Sequence, residues 1–145
     1  MQAQFAHTLL RISYGVILFA HGYILKVGTF TIAGTVGFFE SLGLPAIIAY
    51  LVIFGEIFGG LALIAGFFPR LVACLSLPIM LGAIWPHLGN GWVFSAEGGG
   101  WEFPALLAVI AIVLGFTGPG RLALDHHPRI QALWAPQPET PAQTA

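Results

Sequence analysis

The chain has 145 residues, 57% of them hydrophobic and only 8% charged, with a formal net charge of −1. A soluble domain carries about 25% charged residues, so there are too few polar groups to cover a globular surface, and the chain reads as an integral membrane protein. No basic cluster is present to attract nucleic acid, and the single cysteine, Cys74, excludes an intrachain disulfide and a CxxC redox motif.

The first apolar run extends from about Phe5 to Leu25. It lacks a basic leader and a small-residue cleavage site, so it is expected to be a span rather than a cleaved signal peptide. Arg11 lies near its start, where it is expected to snorkel to the interface. His21 lies near its end and Lys26 at its mouth. In the following GTFTIAGTVGFFESLGLP, Phe38, Phe39 and Leu42 recur at helical spacing before a Gly-Leu-Pro break. This predicts a short helix lying at the membrane interface.

The second run, Ala46 to Phe68, has Glu56 as its only charge. Third and fourth runs extend from about Leu71 to His87 and from Phe103 to Thr117. Both fall short of the roughly 20 residues of a span, which implies tilt or extension into the flanks. Between them, Gly89 to Trp101 is a Gly-rich loop, with Trp85, Trp92 and Trp101 at or near it; such aromatics favour the membrane boundary. After Asp125 the chain turns polar, and Pro136 to Ala145 is expected to be a disordered tail. The expected fold is all-α: a four-helix membrane bundle over residues 1–125 with a polar tail over 126–145. Arg70, Arg121 and Arg129 fall on one side of this arrangement, so the positive-inside rule puts both termini in the cytoplasm.

A carboxylate at the centre of a membrane span costs about 2.5–3.5 kcal/mol on insertion scales, and such a group is by default a functional-site candidate. Glu56 is about ten residues into its span, roughly 15 Å deep, and His21 is roughly 7 Å deep at 1.5 Å per residue. The orientation collects His21, Lys26, His87 and Glu102 near the outer leaflet with Glu56 beneath them, as a polar cavity open outward. Glu56 and His21 are the candidate proton-exchanging pair. Lys26, His87 and Glu102 are candidate ligand-binding groups, and Phe19, Phe54, Phe58 and Trp85 a candidate apolar wall. His126-His127 has no further ligands nearby, so no metal site is expected.

Several pieces in order resemble the DoxX family of small bacterial membrane proteins. They are His21-Gly22 with Lys26, Phe39 to Pro45 (FESLGLP), Glu56 with Gly59-Gly60, Gly66 and Arg70, and His87 with Asn90-Gly91. Trp101-Glu102-Phe103-Pro104 and Gly118-Pro119-Gly120-Arg121 with Leu124-Asp125 continue the pattern, so it spans about Leu9 to Asp125. The resemblance implies a four-helix protein of the bacterial inner membrane. It also implies a link to membrane redox chemistry, since family members include subunits of quinone-linked and thiol-stress oxidoreductase complexes.

The expected function is thus a quinone-linked oxidoreductase or its membrane subunit, with a quinone-like molecule in the cavity and either a partner redox subunit or a second copy of the chain. Three alternatives stay open: a non-catalytic anchor for a larger complex, a haem protein with His21 and His87 as axial ligands, and a small-solute or proton transporter.

Overall fold

The computed structural model describes residues 2–132, and it is all-helical. Helix α1, Gln2–Phe19, continues without a break into a π-helical segment, Ala20–Thr29. Helix α2 is Ile32–Ser41, α3 is Ala46–Ala65, α4 is Pro69–His87, α5 is Glu102–Thr117 and α6 is Pro128–Gln131. The tail from Pro136 lies outside the described residues, and the stretch before it forms a turn at Leu124–His126 and the short α6.

Among the described residues, three helical stretches are long and apolar enough to cross a membrane: Gln2–Thr29, Ala46–Ala65 and Pro69–Asn90. The third is therefore longer than the sequence suggests, because Pro69 opens α4 and a 3-10 turn carries it on to Asn90. Helix α5, at 16 residues, spans about 24 Å and remains short of a hydrocarbon core of roughly 30 Å. A helix is present where a short one is expected, α2, N-capped by the Thr31 hydroxyl, which accepts from Gly34 N at 3.2 Å.

The core sits between α1, α3, α4 and α5, around Tyr14, Leu18, Leu63, Met80, Leu107 and Leu114. Without a hydrophobic drive between helices in lipid, close backbone approach is what holds them. Helices α1 and α3 cross through glycines: a Cβ on Gly60 would lie 2.6 Å from both Gly15 O and Phe19 N, and one on Gly22 would lie 2.9 Å from Ile57 N. The contacts are backbone, which cannot yield locally. Gly60→Ala is expected to destabilise the protein by about 1–3 kcal/mol through overpacking. Gly37→Ala, in open space on α2, is expected to change stability by no more than about 1 kcal/mol, in the stabilising direction. Denaturant unfolding in detergent checks both, and equal effects would contradict the crossing.

Arg11 departs from its expected place at the interface. It is 0% exposed, and its guanidinium donates to Leu63 O and Ile64 O at the end of α3 and to Arg121 O and Leu122 O beyond α5. The physical reason is the end of α3, where Gly66 takes a left-handed φ of 72°. The last carbonyls of a helix lack the i+4 donor; Gly66 N and Phe67 N bond back to Leu63 O and Ala62 O, and Arg11 adds donors to Leu63 O and Ile64 O inside the bundle.

Candidate functional site

The π-helical segment sets the site. At 3.6 residues per turn, His21 and Lys26 would stand about 140° apart around an α-helix. With i→i+5 bonding one turn takes in more residues, and a five-residue separation falls near one face. Both side chains line the same cavity, of about 220 Å³, together with Glu56 and His87. The carbonyl of Lys26 is held by the buried Thr35, whose hydroxyl donates to it at 3.0 Å. Helix α2 is thereby fastened to the segment that carries Lys26.

Lys26 Nζ donates to both carboxylate oxygens of Glu56, at 2.6 Å to Oε2 and 2.9 Å to Oε1. Charge-assisted bonds of this length are among the stronger ones in proteins. The Glu56 side chain is 4% exposed and that of Lys26 18%, so the pair is buried but its cationic half is nearer the mouth. The close approach at Gly22 lets the π segment lie directly on the Glu56 turn of α3.

Both histidines have one nitrogen committed. His21 Nδ1 lies 2.9 Å from Ile17 O, and His87 Nδ1 lies 3.1 Å from both Gly98 O and Gly99 O. A carbonyl only accepts, so each Nδ1 carries hydrogen, and in the neutral ring Nε2 is the basic nitrogen. The His21 ring stacks on Phe103 at 5.8 Å between centroids.

The remaining wall is apolar and differs from the expected one. It is made by Leu18, Met80, Phe94, Phe103 and Leu107, among others. Phe54 and Phe58 stack on each other on the outer face of α3, with Phe58 62% exposed. They are two residues either side of Glu56, about 200° around a helix, so an inward Glu56 turns them toward lipid. Trp85 stands in the same relation to His87 and is exposed, while Phe19 stacks on Tyr23 at 5.5 Å. Glu102 lines a neighbouring groove instead of the cavity, and its Oε1 accepts from Phe94 N at 2.7 Å. The structure thus brings together Glu56, His21, Lys26 and His87, and leaves Glu102, Trp85 and Phe58 outside the cavity lining.

A family model described as DoxX matches residues 6–89. The chain belongs to the DoxX family. The matched region takes in His21, Lys26, Glu56 and His87, four lining residues of the cavity. Among curated proteins, this DoxX chain is 36% identical over 123 residues to a protein of Bacillus subtilis (strain 168) named "Putative oxidoreductase CatD", covering 81% of this chain and 82% of the relative. No solved structure matches the chain.

Proposed function

We propose that this DoxX protein is the membrane component of a quinone-linked oxidoreductase and holds a quinone-like ring in the cavity above Glu56. The observation that carries the reading is the composition of that cavity. A charged pair, Lys26–Glu56, and two histidines with a basic Nε2 line one apolar pocket. Reduction or oxidation of a quinone moves protons to or from its ring oxygens, which calls for titratable groups at hydrogen-bond reach. His21 and Glu56 are assigned to proton exchange, and Lys26 and His87 to the developing negative charge on oxygen. The apolar wall takes the ring. The name of the Bacillus subtilis relative supports a redox setting. The chain's single cysteine offers no dithiol for electrons, so a partner subunit or a bound cofactor supplies them.

The volume favours a small occupant. Pockets for drug-sized ligands begin at about 300 Å³, above the 220 Å³ found here. A one- or two-ring head group is closer to this size than a porphyrin, which weighs against haem between His21 and His87. The non-catalytic anchor keeps one supporting observation: Lys26 and Glu56 satisfy each other and join the π segment to α3, as structural glue would. On either reading the protein is placed in the bacterial inner membrane with the Arg70 and Arg121 end in the cytoplasm.

A short-chain quinone analogue tests the proposal. At one hundred times its Kd a ligand stabilises the folded state by about 2.7 kcal/mol, a rise in melting temperature of several degrees. Wild-type protein in detergent is expected to show this rise, and Glu56→Gln is expected to lose it. A wild type that does not respond to ubiquinone- or menaquinone-type analogues would overturn the reading.

A further inference from the structure

The cavity has a roof, and the roof is held by a small set of side chains. Between α4 and α5 the chain crosses the cavity mouth, and Phe94, Gly99 and Gly100 form part of its lining. The base of this loop is closed by backbone bonds from Trp101 N to Gly91 O at 3.3 Å and from Glu102 N to Trp92 O at 3.1 Å. Trp92 and Trp101 meet edge to face across that base, at 4.4 Å between centroids. The base is tight, since a Cβ on Gly100 would lie 2.2 Å from Val93 O.

Beyond the base, the loop is tied down from two sides. Asn90 Nδ2 donates to Gly98 O and Gly99 O, both at 3.0 Å, and His87 Nδ1 donates to the same two carbonyls. On the other side the Glu102 carboxylate accepts from Phe94 N at 2.7 Å, and the Phe94 ring rests on Phe103 at 5.9 Å. Gly98 and Gly99 have φ of 79° and 78°, a left-handed backbone that glycine adopts without strain. Both carbonyls are thereby turned toward His87 and Asn90. The tip itself, including Ser95 and Glu97, is exposed.

We propose that residues 93–100 are a gate over the cavity that opens as a unit, and that Asn90 and Glu102 are the latches that set how often it opens. The segment is largely exposed, and its ties beyond the base are polar bonds to Asn90, His87 and Glu102, which marks the low-stability end of a fold. Its closed form covers the cavity beside His87 and above Glu56, whose side chain is 4% exposed, as lids do over reactive sites. Glu102, expected from sequence to bind ligand, acts here through the loop and not on the occupant. The inference does not depend on which molecule the cavity takes.

Accessibility of a cavity residue tests it directly. In full-length protein carrying Cys74→Ser, Ala83→Cys places one thiol on the cavity wall, and Ser95→Cys in a second variant reports the exposed loop tip. Reaction with a small charged methanethiosulfonate in nanodiscs is expected to be slow at position 83 and fast at position 95. Adding Glu102→Ala is expected to speed labelling at position 83 about tenfold or more, the loss of one charge-assisted hydrogen bond. Asn90→Ala together with Glu102→Ala should speed it further, while Glu102→Gln, which keeps an acceptor oxygen, should stay near the parent rate. Equal labelling rates at position 83 in all four proteins would overturn the gate. So would a parent rate at position 83 matching that at position 95, because the roof would then be no barrier.

Discussion

Lys26→Met is expected to destabilise the protein by about 3–5 kcal/mol, and Lys26→Met with Glu56→Leu to recover most of that loss. Removing one partner of a buried ion pair leaves an uncompensated charge, whereas replacing both by apolar groups is often neutral or stabilising. Glu56, at 4% exposure in the middle of α3, is left without its ion-pair partner once Lys26 is gone. Lys26 is in a different position, 18% exposed and on a flexible stem near the mouth, so it can turn outward when Glu56 is replaced. Glu56→Gln alone is therefore expected to cost less than Lys26→Met alone. Denaturant unfolding in one detergent, followed by tryptophan fluorescence, orders the three variants.

The same set separates the two functional readings. If the pair serves a ligand, the doubly apolar protein folds well and does not bind the quinone analogue. If the pair is glue, the double variant keeps whatever binding the wild type has. A double variant that binds as the wild type does would remove Lys26 and Glu56 from the proposed chemistry. A double variant less stable than either single one would contradict the pairing itself.

Glu56 is legible in the sequence because a lone carboxylate in an apolar helix has to face protein, and the rest of the polar set follows from span order. Counting residues places His21, Lys26 and His87 at one end of the bundle, and that count is insensitive to errors of two or three. Rotation about a helix is not so forgiving. Phe54 and Phe58 sit beside Glu56 in sequence but point away from it, since two residues take a side chain to the opposite face. The π segment carries no readable signal: AHGYILKVGT contains no proline and has an ordinary apolar pattern. Yet this segment decides that His21 and Lys26 share a face, and Thr35 of α2 holds it through the Lys26 carbonyl. Sequence position assigns Glu102 to the cavity because it opens α5 at the correct end. Its use as a loop latch depends on where Phe94 N lies, which loop composition does not specify.

Arg11→Met is expected to lower stability by more than about 2 kcal/mol. The guanidinium reaches four carbonyls, of Leu63, Ile64, Arg121 and Leu122; Leu63 O also accepts from Gly66 N and Arg121 O from the Thr8 hydroxyl, so the loss falls chiefly on Ile64 O and Leu122 O, at about 1–3 kcal/mol for a buried carbonyl left without a donor. The losses are not additive, since they share one side chain. The same end is fastened by Thr8, whose hydroxyl donates to Arg121 O at 2.9 Å and accepts from Arg121 N at 2.7 Å. Asp125 adds a bond from Phe68 N at 2.9 Å, and its own N–H donates to Gly66 O at 3.1 Å. Arg11 thus ties the end of α3 to the segment after α5, and its loss is expected to expose residues 118–125 to protease before the bundle unfolds. Arg11→Lys should recover less than half of the stability, because an ammonium is a point charge without the planar fork that spans two pairs of carbonyls. Thermal melts and limited proteolysis in detergent measure both effects. An Arg11→Met protein melting within about 2 °C of wild type would mean that the four bonds carry little net free energy. The folded fraction of this variant should still bind the quinone analogue, unlike Glu56→Gln, since Arg11 is absent from the cavity lining.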